Sequence, residues 1–179
     1  MNGSMNRSES MNTGDTMTTN ASMTRNIIGW TRKHLPDAVA RVTGRISTSG
    51  PNGWITLYQT PWGVLMVVDV QGLPDGGGAG IFALHIHEGG SCASAGAGPF
   101  SAAGEHYNPD GYQHPWHRGD LPPLFSCGGT AWLCVLTDRF GVEEVIDRTV
   151  VIHENPDDFT SQPSGNAGEK IACGVIKWR

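Results

Sequence analysis

Five of the chain's 7 histidines lie between His85 and His117, and a carboxylate follows at Asp120. They stand as His85-Ile86-His87, His106, and His114-Pro115-Trp116-His117; His153 comes later, and only His34 falls upstream. Imidazole is the commonest biological metal ligand, and imidazoles grouped with one carboxylate suit zinc, copper or iron. A lone strand histidine is usually structural, but six of them with an aspartate at strand and loop ends point to a metal site.

The elements around these residues must bring them together. Side chains alternate faces along a strand, so His85 and His87 on an extended segment point the same way and form a two-ligand clip. His106, His114, His117 and Asp120 share a stretch with Gly104, Pro109, Gly111, Pro115 and Gly119, which neither helix nor strand tolerates. That stretch is a loop, free to fold several ligands round one ion. His153 ends the apolar run Val150-Val151-Ile152.

Gly 25 and Pro 11 make up roughly a fifth of the 179 residues, which favours short elements joined by turns. Strand character begins at Ala38, with Val39, Val42 and Ile46, and continues in Trp54–Gln59, Val64–Val70, Ile81–His87, Thr130–Thr137, Thr149–His153 and Ile171–Ile176. Gly50–Gly53 and Pro61-Trp62-Gly63 read as turns, and Pro74–Gly80 as a Gly-rich loop. The pattern predicts an all-β, Greek-key barrel or sandwich of about eight antiparallel strands with long metal-binding loops.

Residues 1–26 are rich in Met, Ser, Thr and Asn and are expected as a disordered tail, leaving 27–179 as the domain. The tail holds Met1, Met5, Met11, Met17 and Met23; thioethers suit Cu(I), so a copper-gathering arm is the alternative to a merely soluble tail. Ile27–Pro36, with Trp30, reads as an edge element, and His34 as a surface residue. The net charge of -5 argues against nucleic acid or an anionic membrane as the main partner. No apolar run approaches the roughly 20 residues that cross a bilayer. No secretory signal is visible, so the expected compartment is cytoplasmic by default.

The residues also match a family. From about Ala38 to Trp178 the chain resembles the copper/zinc superoxide dismutases in their bacterial form. The resemblance rests on His85-Ile86-His87-Glu88, His106-Tyr107-Asn108-Pro109, His117-Arg118-Gly119-Asp120-Leu121, Arg148–Glu154, and Gly165-Asn166-Ala167-Gly168 through Ala172–Ile176. It implies dismutation of superoxide to oxygen and hydrogen peroxide, with Cu and Zn as cofactors. His85, His87, His106 and His153 would hold copper; His106, His114, His117 and Asp120 would hold zinc. His106 would bridge the two ions, leaving copper on its reduction and carrying a proton to the product. Asp157 would hydrogen-bond His85 and His114 from behind. Lys170 stands where the family places an arginine that guides the anion. Other departures are Phe82-Ala83 in place of His-Gly, and a short loop between Asp157 and Ser164 with few charges.

Of the 4 cysteines, the resemblance pairs Cys92 with Cys173 and leaves Cys127 and Cys134 as free thiols, Cys134 being a candidate for burial. A disulfide also suits an extracytoplasmic site. The partner implied is superoxide, with both a monomer and a homodimer left open. Two other readings compete. A copper-delivery protein on the same fold would lack a Cys-x-Cys transfer motif here and would have no need of His153. A cupin-like iron enzyme leaves Cys173 and the Asn166-Ala167-Gly168 segment unexplained.

Overall fold

The computed structural model describes residues 29–45, 50–74, 80–96 and 98–179. The tail expected over 1–26, Ile46 of the first strand, and residues 75–79 of the Gly-rich loop lie outside them. The chain divides into two units, Met1–Leu35 and Pro36–Arg179. In the first, residues 29–31 are helical where an edge element was expected. His34 is exposed and stacks on Trp30, with ring centroids 3.9 Å apart.

In the second unit the described residues form nine antiparallel strands. They are β1 (Ala38–Gly44), β2 (Asn52–Thr60), β3 (Gly63–Gln71), β4 (Ile81–Phe82), β5 (Leu84–His87), β6 (Leu124–Cys127), β7 (Thr130–Thr137), β8 (Thr149–His153) and β9 (Lys170–Trp178). Period-two alternation sets the inward face: Ala38, Ala40 and Val42 from β1, Ile55 and Leu57 from β2, and Val64, Met66, Val68 and Val70 from β3 are buried. Val39, read with Val42 as one apolar set, has the opposite parity and faces outward. A short helix, α1 (Val142–Val145), buries Val142 and Val145 at one end of the core.

The strand order is β4-β6-β7-β3-β2-β1-β9-β8-β5. Its two ends belong to one continuous segment, because β4 and β5 are separated only by Ala83. The peptide at Ala83 donates to Asn155 O (2.8 Å) and accepts from His153 N (2.9 Å), carrying the β5–β8 ladder on towards β4. This nearly closes the sheet into a barrel and leaves little free edge. The segment read as one strand, Ile81–His87, is therefore two, and Leu124–Cys127 is a strand that no expectation included. These account for nine rather than about eight.

One irregularity matters for the site. The β8–β9 register shifts between Ile152 and His153, so that Ile152 faces Ala172 but His153 faces Lys170. Ile171 is the extra residue of a bulge, a device that re-aims side chains at a strand end.

Cys92 and Cys173 form a disulfide across 81 residues of sequence, with Cα atoms 5.7 Å apart. It joins the loop after β5 to β9 within a small buried cluster of Phe100, Ala103 and Val151. Cys127 and Cys134 are free thiols. Cys134 is exposed rather than buried, because it shares the outward parity of Thr130 and Trp132 on β7. We expect Cys92→Ser to lower unfolding stability by about 2–4 kcal/mol, since the bridge closes a long loop. Denaturant titration of the oxidised protein beside the variant checks this.

Candidate metal centre

The ligand-bearing loop docks on the barrel through β5. Ile86 N donates to Gly119 O (2.9 Å), Tyr107 N to Ile86 O (2.8 Å), and Gly119 N to Tyr107 O (2.9 Å). These bonds set His85 beside Asp120 and His87 beside His106 in isolated bridges. Gly119 is required there, because a Cβ at that position would run into Ile86 O. Arg139 braces the far side of the loop: its Nη1 donates to His117 O (2.9 Å) and lies within 3.3 Å of Pro115 O and Asp120 O. Arg148 lies over the Tyr107 ring at 4.0 Å and donates to Glu88 O.

Two groups of donor atoms result, each with its atoms within 4.8 Å of one another. One comprises His85, His87, His106 and His153; the other His106, His114, His117 and Asp120. All seven residues are buried, and His106 belongs to both groups.

Hydrogen bonds assign the free nitrogen in four of the rings. His87 Nδ1 donates to Gly104 O (2.9 Å) and His153 Nδ1 to Gly168 O (3.3 Å), so their Nε2 atoms carry lone pairs. Those two Nε2 atoms face each other at 3.2 Å. Two lone pairs at that distance repel unless a cation or proton lies between them. His85 Nε2 donates to Asp157 Oδ2 (2.8 Å) and His114 Nε2 to Asp157 Oδ1 (2.9 Å), which leaves Nδ1 of each ring as the acceptor. His85 Nδ1, His114 Nδ1 and His106 Nε2 are buried without any hydrogen-bond partner. His114 Nδ1 lies 3.1 Å from Asp120 Oδ2 without hydrogen-bond alignment. Orphaned acceptors converging on two points are the donor sets of two metal ions.

Asp157 links the two groups, since one carboxylate holds His85 of the first and His114 of the second. Burial works against its charge, but the His85 hydrogen bond, the Phe159 N–H and His114 outweigh it and bring its pKa down to about 2. Gly165, at φ +67°, packs against this bridge so closely that a Cβ would overlap Asp157 Oδ1. Burial likewise opposes the charge of Asp120, and the hydrogen bond from His106 more than compensates. Desolvation pushes His85, His87, His117 and His153 below their ordinary value, His153 to about 3.

The donor types and sharing fit copper and zinc. Residues 51–176 match the family model described as copper/zinc superoxide dismutase. The chain belongs to the copper/zinc superoxide dismutase family. The superoxide dismutase [Cu-Zn] of Legionella pneumophila is 36% identical over 148 residues, covering 76% of this chain and 86% of that protein. That of Photobacterium leiognathi is 35% identical, covering 74% and 82%. Among solved structures, the Cu/Zn superoxide dismutase from Brucella abortus superposes with a TM-score of 0.66 at 26% identity, covering 78% of this chain and 99% of that one. A SOD-like protein from Bacillus subtilis gives 0.64 at 25%, covering 76% and 96%.

Lys170 is half-buried at the β9 bulge, and its Nζ donates to Gly104 O (2.7 Å), the carbonyl that also holds His87. Burial lowers its pKa, with Glu105 pulling the other way. Sequence reasoning did not reach the carbonyls of Gly104 and Gly168 or the brace from Arg139. Backbone acceptors have no side-chain signature. Arg139 carries only the weak signal of being the single cation between Gly119 and Asp147.

Two outcomes follow from these contacts. Asp157→Ala should weaken metal retention about 10–100-fold, read by chelator competition. The metal-free protein should also be acid-labile. Histidines with lowered folded pKa values contribute stability that is complete above the ordinary 6.5 and lost as the pH falls towards about 3. Thermal melts of chelator-stripped protein should therefore drop between about pH 7.5 and about pH 5, and far less with metals bound.

Proposed function

We propose that this protein dismutes superoxide at a copper site held by His85, His87, His106 and His153, beside a zinc site held by His106, His114, His117 and Asp120. The observation that carries this is the sharing of His106, whose Nδ1 lies 2.8 Å from Asp120 and whose Nε2 is a buried orphan on the other side. Three imidazoles and one carboxylate make a closed tetrahedral set suited to zinc, which does no redox chemistry. Four imidazoles suit copper, which when bound supplies the one-electron exchange that turns two superoxide ions and two protons into dioxygen and hydrogen peroxide.

The remaining work falls to the chain's own groups. His106 is the one ring shared by both donor sets, and its Nε2, on the side away from Asp120, is where a proton can be held beside the reacting oxygen species. Asp157 keeps His85 and His114 in the tautomer that presents Nδ1. Lys170 places an ammonium next to His87, and this local cation attracts an anion that the net charge of -5 would otherwise repel. The partners are superoxide and a second copy of the chain. No described helix is long and apolar enough to cross a membrane.

Superoxide consumption by the copper- and zinc-loaded protein tests the reading. Turnover should far exceed that of free copper and vanish in His153→Ala; equal turnover with and without His153 would refute it. Lys170→Ala should cut the rate about tenfold or more and flatten its dependence on ionic strength, while Lys170→Arg should keep both.

A further inference from the structure

The two donor sets are held by different means. In the first, His85, His87 and His153 stand on β5 and β8, whose ladder fixes their spacing. In the second, His114, His117 and Asp120 all fall within the run His114–Asp120, which forms no strand. His117 and Asp120 close a turn on each other: Asp120 N donates to His117 O (3.2 Å) and His117 N to Asp120 Oδ2 (2.9 Å). At the start of the run Gln162 clamps the backbone of His114, accepting from its N–H (3.0 Å) and donating to its carbonyl (2.6 Å). Gly119 docks the turn on β5 from one side, and Arg139 meets it from the other.

Arg139 Nη1 lies 2.9 Å from His117 O, 3.2 Å from Pro115 O and 3.3 Å from Asp120 O, so one nitrogen gathers three carbonyls of the ligand run. The arginine is half-buried, and among the described residues it forms no ion pair with a carboxylate. A partly desolvated cation is costly unless hydrogen-bonded, and here carbonyl oxygens offset that cost. Its own backbone is anchored to the barrel. Its N–H donates to Thr137 Oγ1 (3.2 Å) at the end of β7, Thr137 pairs with Val64 of β3, and the neighbouring Phe140 is buried in the core. The rigidity of the barrel therefore reaches the ligand run through one side chain.

We propose that Arg139 is a positioning residue of the zinc set, fixing the His117–Asp120 turn so that the set binds zinc strongly and prefers it to copper. This role rests on the zinc assignment proposed for His106, His114, His117 and Asp120. Copper(II) binds a given set of nitrogen and oxygen donors more tightly than zinc, so selectivity comes from holding the ligands in an arrangement that suits zinc. A turn free to rearrange loses that discrimination. The sign of the effect separates positioning from charge. A guanidinium near a dication repels it, so by charge alone its removal would tighten zinc binding. Through lost positioning, its removal weakens zinc binding.

The metal-stripped full chain, titrated with zinc against a chelator and separately with Co(II) as a visible-absorption probe of the same set, tests this. Arg139→Met is close in length but has neither charge nor donor. It should weaken zinc binding about 10–100-fold, weaken and shift the Co(II) bands, and let copper enter the set when both metals are offered in equal amounts. Arg139→Lys should recover much of the affinity, because an ammonium has three N–H donors for the three carbonyls. Circular dichroism shows whether each variant is folded, and Arg139→Gln takes the place of Arg139→Met if the latter is not. Unchanged zinc affinity and Co(II) bands on loss of the arginine, tighter zinc binding, or a lysine variant no better than the uncharged one would each overturn the proposal. A wild type that holds no zinc would overturn the zinc assignment as well.

Discussion

Facing lone pairs on His87 and His153, 3.2 Å apart, are the constraint on which the rest of the structure depends. Left alone they favour opening of the site, as do the unpartnered nitrogens of His85, His106 and His114. Something must hold these rings together until a cation arrives. The β5–β8 pairing fixes His85 and His87 on one wall, the near-closure of the barrel fixes His153, and the Cys92–Cys173 bridge ties the loop to β9. The barrel is thus a frame that keeps an intrinsically unfavourable cluster preorganised. Local conflict of this kind is expected where a fold serves a site.

Asp157 shows how the frame reaches both groups with a single charge. A buried carboxylate is costly unless hydrogen-bonded, and this one is held by two imidazoles and a backbone N–H. Because it accepts from Nε2 of His85 and of His114, it fixes a tautomer in each group at once. A shift of either ring is felt by the other through the same two oxygens. Gly165 closes the space behind, so the carboxylate has nowhere else to go.

Much of this was legible in the sequence for simple reasons. Imidazoles are scarce, so their grouping stands out, and the β-branched runs from Val64 to Val70 and from Thr149 to Ile152 declare themselves as strands. Leu124–Cys127 did not, being four residues wedged between Pro122-Pro123 and Gly128-Gly129 with too short an alternation to register. The break at Ala83 has no glycine or proline to announce it; it arises only when the sheet turns back on itself. The outward parity of Cys134 was likewise set by pairing with β3 rather than by its own chemistry. Gly104 O, which orients His87, is a backbone atom and invisible to any reading of side chains.

That carbonyl also bears on the role proposed for Lys170. An arginine offers a planar fork with several donors, whereas an ammonium is a compact charge that must be aimed by its surroundings. Here the β9 bulge turns Lys170 toward His153, and the Gly104 carbonyl fixes its Nζ beside His87. The same oxygen therefore holds both the His87 ring and the Lys170 ammonium, so the charge and the metal-binding atoms keep a constant relation. Partial burial lowers the lysine's affinity for its proton, yet it also strengthens the field the ammonium projects into the site. In the role proposed for Lys170, position, set by one strand irregularity and one carbonyl, stands in for the fork of an arginine.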